Sequence, residues 1–353
     1  MTSDDSLRQR IGRLLFVGIP GPTLDDATRA RLEELHPGGV VLFRRNVGSP
    51  AAIAALTEAL HSLSSQPLVA VDHEGGRVLR LSAPFTQFPP AAAVGRCRDV
   101  DYAYRVGRAM AAELASVGID LSFAPVLDVH SNPANPVIGD RAFGSDPELV
   151  SALGIAMMRG LRDGGLIPCG KHFPGHGDTE TDSHLELPVV RRSRQELERT
   201  ELVPFRAAIA AGVPMLMTAH VLYPAFDAEH PATLSHAIVT ALLREQLGFA
   251  GVVASDDMEM RAIGDHHDIG DAAVASLRAG VDVLLVCQDL GKATRVHAAI
   301  ADALRRGELD AKMIGGAARR VQWLKNERAA PEDVVCALPN PEHQRLAQQL
   351  RQA

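Results

Sequence analysis

"IPCGKHFPGHGDTETDSHLELP", residues 167–188, runs from a short apolar segment into a polar loop, and the change falls at Lys171 and His172. The first seven residues are too few for a helix and do not alternate polar with apolar, which is the pattern of a strand buried on both faces. Pro174, Gly175 and Gly177 then rule out a helix through the loop that follows. The same grammar recurs along the chain, in "LLFVGI" (14–19), "GVVLF" (39–43), "LVAVD" (68–72), "LSFAPVLDV" (121–129), "MLMTAHV" (215–221), "GVVASDD" (251–257) and "VDVLLVC" (281–287). Helix-period segments such as "DATRARLEEL", "AYRVGRAMAAELASVG", "DPELVSALGIAMMRGLRDG" and "IVTALLREQLG" separate many of these runs. Buried strands alternating with helices predict a parallel sheet covered by helices.

Eight such units predict an α/β fold, a single (β/α)8 TIM-type barrel with extended βα loops and a C-terminal helical tail. Residues 1–330 are expected to form the barrel domain and 331–353 the tail, packed on or trailing it, with "NERAAPED" (326–333) opening that tail. A doubly wound open sheet is the alternative, weakened because no G-x-G-x-x-G follows the first strand.

Composition narrows the partners. The 353 residues are 46% hydrophobic and carry a net charge of −7, with 36 basic residues spread along the chain. Without a basic cluster, nucleic acid is not an expected partner. Cys97, Cys169, Cys287 and Cys336 are scattered and form no CxxC pair, which suits a reducing compartment. "MTSDDSLRQRIGRLLFVGIPG" lacks both the basic start and the long apolar run of a signal peptide, and no membrane span is expected, so the predicted location is cytoplasmic.

Polar residues collect where apolar strands end: Asp72, Asp128, Lys171–His172, His220 and Asp256–Asp257. In a parallel barrel those ends share one mouth, where sites are assembled from several loops. Any one of them could instead brace a loop through an ion pair. His172 and His176 have the i, i+4 spacing of a zinc helix, but the prolines and glycines between them remove the helix, and no HExxH occurs, so no metal is expected. A phosphate loop needs GxxxxGK[ST], which "PGHGDT" does not supply. A proton-transfer device remains, with Asp182 two residues from His184 and able to fix its tautomer.

The stretch "KHFPGHGDTETDSHLELP" (171–188) closely resembles the signature of family 3 glycoside hydrolases of the β-N-acetylglucosaminidase type. "GGVVLFRRNV" (38–47), "VDHEGGRVLRL" (71–81), "FAPVLDV" (123–129), "IGDRAFGSDP" (138–147), "MTAHV" (217–221) and "VVASDDMEM" (252–260) resemble further family blocks in the family order. The resemblance implies a retaining glycosidase with no cofactor, acting through a covalent glycosyl-enzyme. It implies Asp256 as nucleophile, His184 as acid/base and Asp182 as the carboxylate that orients His184. It assigns substrate binding to Asp72, Arg80, Arg141, Lys171 and His172. His176 is expected to hold substrate or the loop, and His220 and Asp128 to lie behind the site. Strand alternation puts Val252, Ala254 and Asp256 on one face and Ser255 and Asp257 on the other, leaving Asp257 as a structural partner. Gly75–Gly76 are expected to let the backbone turn close to the substrate. Leu79 stands where the family pattern suggests Gln, which is expected to alter the rim of the site.

The substrate the resemblance implies is a terminal β-linked N-acetylglucosamine on a 1,6-anhydro-muropeptide, met in peptidoglycan recycling. The chain ends before a second domain of the kind that supplies an acid in other branches, which favours the histidine branch. A phosphorylase of the same family, metal-assisted hydrolysis and a non-catalytic amino-sugar binding protein are the alternatives.

Overall fold

The computed structural model describes residues 3–183, 185–328 and 336–352. Among these, eight parallel strands close into a barrel. They are β1 (Leu15–Gly18), β2 (Gly39–Leu42), β3 (Leu68–Val71), β4 (Leu121–Ser122), β5 (Ile167–Phe173), β6 (Met215–Thr218), β7 (Val252–Asp257) and β8 (Val283–Val286). Each strand pairs with its neighbours in the chain, and the ring closes where Leu15 of β1 meets Leu284 of β8. The fold is thus the single (β/α)8 barrel, not the open sheet.

Every residue of β1, β2, β3, β5, β6 and β8 is buried, as strands covered on both faces must be. Helix starts are set by side chains that satisfy orphan N–H groups: Asp25, Asp99, Asp146, Asp268, Asp289 and Asp310 each accept a first-turn N–H. The helix Ile269–Ala279 ends at Gly280, whose φ of 109° few other residues adopt cheaply.

One strand is shorter than its sequence suggests. "LSFAPVLDV" keeps ladder geometry only at Leu121–Ser122, because Pro125 has no N–H to give. The chain nevertheless stays beside β5: Leu127 N–H donates to the Lys171 carbonyl at 2.7 Å, and Lys171 N–H to Pro125 at 3.2 Å. That partial peeling frees the segment from Leu127 onward to carry Asp128 into the mouth.

The C-terminal helix Pro341–Gln352 packs on the helices Ala91–Cys97 and Val100–Ala115. Tyr102 donates its hydroxyl hydrogen to the Leu346 carbonyl, and His343 Nδ1 lies 2.8 Å from Glu113 Oε1. The expected boundary at 330/331 lies outside the described residues. The four cysteines are free thiols, and no described helix is long and apolar enough to cross a membrane.

Candidate active site

The C-terminal ends of β2 to β8 surround a cavity of about 310 Å³. Its floor is charged. Lys171, at the end of β5 and buried, places Nζ 2.8 Å from Asp72 Oδ1 and 2.5 Å from Glu74 Oε1. Arg80 reaches Asp72 Oδ2 at 3.1 Å, and Arg141 grips Glu74 with two bonds of 2.8 and 2.9 Å. The fork geometry of Arg141 matches both carboxylate oxygens. The wall is partly apolar, with Phe43, Phe123, Met217 and Met260 facing the same space.

These groups keep one another ionised. Burial works to raise the Asp72 pKa, yet Lys171 and Arg80 outweigh it and hold the carboxyl below its ordinary value. Glu74 is lowered in the same way, burial opposing and Arg141 and Lys171 prevailing. For Lys171 burial favours the neutral amine, but Asp72 and Glu74 raise its pKa. Three cations and two carboxylates therefore face the cavity with fixed charge, a surface suited to several hydroxyls of one polar ligand.

His172 Nδ1 sits 2.7 Å from Asp128 Oδ2, and Asp128 Oδ1 accepts the backbone N–H of His172 at 3.1 Å and of His176 at 2.7 Å. Asp128 thus locks the start of the polar loop while His172 Nε2 faces Arg141 at 3.4 Å. His176 holds the loop from inside, with Nδ1 2.9 Å from Thr179 Oγ1 and Nε2 3.1 Å from Ser183 Oγ. Burial first, and then the His172 charge, drop the His176 pKa to about 4, so its ring is a neutral tether. The loop also reaches the far wall, where Ala262 N–H donates to the Ser183 carbonyl at 3.3 Å.

Asp72, Arg80, Arg141, Lys171, His172 and Asp256 all line this one cavity. Asp182 lies on the loop after β5, and its neighbour Ser183 lines the cavity. His184 lies outside the described residues. Arg80 and Arg141 make ion pairs as well as facing the cavity, so bracing a loop and offering N–H groups to a ligand are not exclusive.

Three expectations need correction. Asp257 shares the cavity with Asp256 instead of pointing away. The reason is a register shift: Ala254 pairs with Val283 and Asp257 with Leu285, three residues advancing on β7 for two on β8. Leu79 is buried in the small antiparallel pairing of His73–Gly75 with Val78–Leu79, and the cavity wall is Val78 instead. Gly75 and Gly76 do turn the chain with φ of 106° and 58°, but an added Cβ would meet Pro89 and Pro90 at 2.6 Å, so the close neighbour is protein.

The strand-end reading missed Glu74, although it stands two residues past Asp72, the spacing that puts extended-chain side chains on one side. It also missed Glu259, whose Oε2 accepts Gln288 N–H at 2.5 Å and whose Oε1 pairs with Lys292 at 3.1 Å. Phe43, Phe123 and Met217 gave no sequence signal, since an apolar residue ending an apolar strand looks like core. Among the described residues no group of His, Cys, Asp and Glu is arranged to hold a metal ion.

A closed parallel barrel with fixed charges gathered at the C-terminal mouth is a barrel enzyme, with its site where such folds build them. The chain belongs to glycosyl hydrolase family 3: the profile of that family's N-terminal domain matches residues 6–324. It is 45% identical over 280 residues to a beta-hexosaminidase of Thiobacillus denitrificans, the match covering 77% of each chain. Among solved structures it is similar to a family 3 beta-N-acetylglucosaminidase of Paenibacillus sp. str. FPU-7, with a TM-score of 0.93 and 38% identity over 98% of this chain and 68% of the other. It is also similar to NagZ of Neisseria gonorrhoeae in complex with N-trifluoroacetyl-D-glucosamine, with a TM-score of 0.81 and 36% identity over 96% of this chain and 97% of that one.

Proposed function

We propose that this chain is a retaining exo-glycosidase that releases terminal, non-reducing β-linked N-acetylglucosamine, with 1,6-anhydro-muropeptides in the cytoplasm as its substrates. One observation carries the reading. Asp256 opens into the same cavity as Asp72, Arg80, Arg141, Lys171 and His172, so a carboxylate nucleophile and a hydroxyl-binding floor can serve one sugar ring. The names of the relatives point to the same sugar class.

The chemistry follows from that pairing. Asp72 accepts hydrogen bonds from sugar hydroxyls, and Arg80, Arg141 and Lys171 donate to sugar oxygens. An Asp256 oxygen attacks the anomeric carbon while His184, oriented by Asp182, gives its proton to the departing oxygen. The bond from the anomeric carbon to that oxygen breaks, leaving a glycosyl-aspartate. Water then attacks the anomeric carbon, His184 takes the water proton, and the Asp256 carboxylate departs. Two displacements at one carbon retain its configuration. A histidine suits both proton transfers, because imidazole titrates near neutral pH without a buried carboxyl.

Purified protein should release aryl alcohol from an aryl N-acetyl-β-glucosaminide, and Asp256→Ala should reduce kcat/KM by about 10³-fold or more. Equal rates for the two proteins rule the assignment out. Product analysis with and without inorganic phosphate separates a hydrolase, which yields free sugar in both, from a phosphorylase, which yields sugar phosphate.

A further inference from the structure

Directly behind Asp256, three parts of the chain are tied to one residue, Asp257. Its N–H donates to Asp256 Oδ1 at 2.8 Å. Its carbonyl accepts the Met260 N–H at 3.0 Å and lies 3.1 Å from His220 Nε2. Its own Oδ1 accepts N–H groups from Glu259 at 3.1 Å and Cys287 at 3.3 Å. A carbonyl oxygen can only accept, so His220 Nε2 must carry a hydrogen.

The rest of the imidazole is fixed equally well. His220 lies two residues past β6, wholly buried, with Nδ1 2.8 Å from Thr233 Oγ1. That hydroxyl is 2.9 Å from Thr218 Oγ1 and 3.1 Å from the Ala219 carbonyl. Thr218 Oγ1 in turn donates to Ala254 at 3.3 Å. The network therefore joins β6 to β7 at two heights, once below Asp256 and once just beyond it.

We propose that His220 is a positioning residue for the nucleophile, a role that rests on Asp256 being that nucleophile. A carboxylate turns freely about its side-chain bonds unless something holds one oxygen. Here the Asp257 N–H holds Oδ1. The direction of that N–H depends on the backbone of residue 257, which the bond from His220 pins from the β6 side. Misplacing a reacting atom by about 1 Å can cost about 10²-fold in rate, so loosening residue 257 slows attack without removing any group that touches the sugar.

Two polar substitutions divide the network without hollowing the core. His220→Gln puts an amide N–H near the reach of Nε2 and keeps the bond to Asp257. His220→Asn puts one near the reach of Nδ1 and keeps only the bond to Thr233. The probe is a fluorinated N-acetylglucosaminyl fluoride that accumulates as a glycosyl-enzyme, with the labelled residue read by peptide mass spectrometry. In the wild type the label should fall on Asp256. His220→Asn should slow labelling about 10- to 100-fold at saturation with the half-saturating concentration little changed, and His220→Gln should stay within about five-fold of wild type. A merely structural role slows both variants alike, in step with their thermal stability, and that result overturns the proposal, as does unchanged labelling in both. Labelling of the wild type at another residue, or at none, overturns the nucleophile assignment itself and this proposal with it.

Discussion

At the mouth of the barrel Lys171 is buried and Asp257 half-buried, and the loss of water has opposite outcomes for them. Lys171 has two carboxylates within 2.8 Å and stays ionised. Among the described residues no cation pairs with Asp257, which instead accepts N–H groups from Glu259 and Cys287. Burial therefore prevails, and with the Glu259 and Asp256 charges adding to it, pushes Asp257 up to about 7 despite the opposing N–H bonds. The sign for stability follows. An unfolded aspartate titrates near pH ~3.9, so between about pH 4 and 7 the native state binds the extra proton and stability falls as pH rises, levelling off above. Asp257→Asn keeps an oxygen for both N–H groups and cannot ionise. In urea unfolding the stability advantage of the variant over wild type should be larger at pH 8 than at pH 5 by on the order of 1–3 kcal/mol. The same difference at both pH values would show that Asp257 does not titrate in this window. Nothing in the sequence announces that behaviour, because alternation along β7 assigns Asp257 to the other face. Only the register shift against β8 brings it beside Asp256.

Elements were easier to read than the loops that join them. Strand runs such as "IPCGKHF" became strands with the bounds expected, because burial on both faces leaves an unbroken apolar signature and period does the rest. "LSFAPVLDV" did not, because a proline inside an apolar run removes ladder bonds that hydrophobicity alone does not reveal. The polar residues of the site were visible as breaks at strand ends, whereas its apolar wall was indistinguishable from core. Loop packing lay further out of reach, and Gly177 illustrates why. It reads as flexibility, yet a Cβ built there would lie 1.6 Å from the Val129 carbonyl oxygen. Glycine is needed for close approach between the loop after β5 and the segment carrying Asp128. Asn135 reinforces that contact by donating Nδ2 to the His176 and Gly177 carbonyls at 2.9 and 3.0 Å. Gly177→Ala must push the loop away from its seat, and the loop carries Asp182 and His184. The expected result is a loss of about 1–3 kcal/mol in unfolding free energy together with a fall in kcat/KM of about 10-fold or more. Full activity in a folded Gly177→Ala protein would mean that the loop's seat does not govern catalysis.

Across the whole barrel, the two ends use buried carboxylates for different work. At the mouth, Asp72 and Glu74 are neutralised by Lys171, Arg80 and Arg141, all facing a cavity. At the opposite rim, Asp120 precedes β4 and Asp282 precedes β8, and each accepts the N–H of a residue in the preceding barrel strand, Val69 or Val253, at 2.8 and 2.9 Å. Their other contacts are basic side chains from outside the barrel: His61 at 2.7 Å and Arg328 at 3.0 Å for Asp120, and Arg244 at 2.5 Å with Arg320 at 2.6 Å for Asp282. Neither Asp120 nor Asp282 is on the lining of the cavity at the mouth. A barrel built this way separates stability at its base from chemistry at its mouth. Asp282→Ala is the sharper test, since it strands the mostly buried Arg244 guanidinium and leaves Val253 N–H without its acceptor. Removing one partner of a buried, hydrogen-bonded ion pair costs about 3–5 kcal/mol, lessened here because Arg244 also donates to the Phe249 and Gly251 carbonyls at 3.0 and 2.5 Å. Chemical unfolding of Asp282→Ala should therefore show a loss of about 2–4 kcal/mol, while kcat/KM of the folded fraction at 25 °C remains within about two-fold of wild type. A large fall in kcat/KM with unfolding free energy unchanged would place Asp282 in the catalytic machinery and remove the division of labour between the two ends.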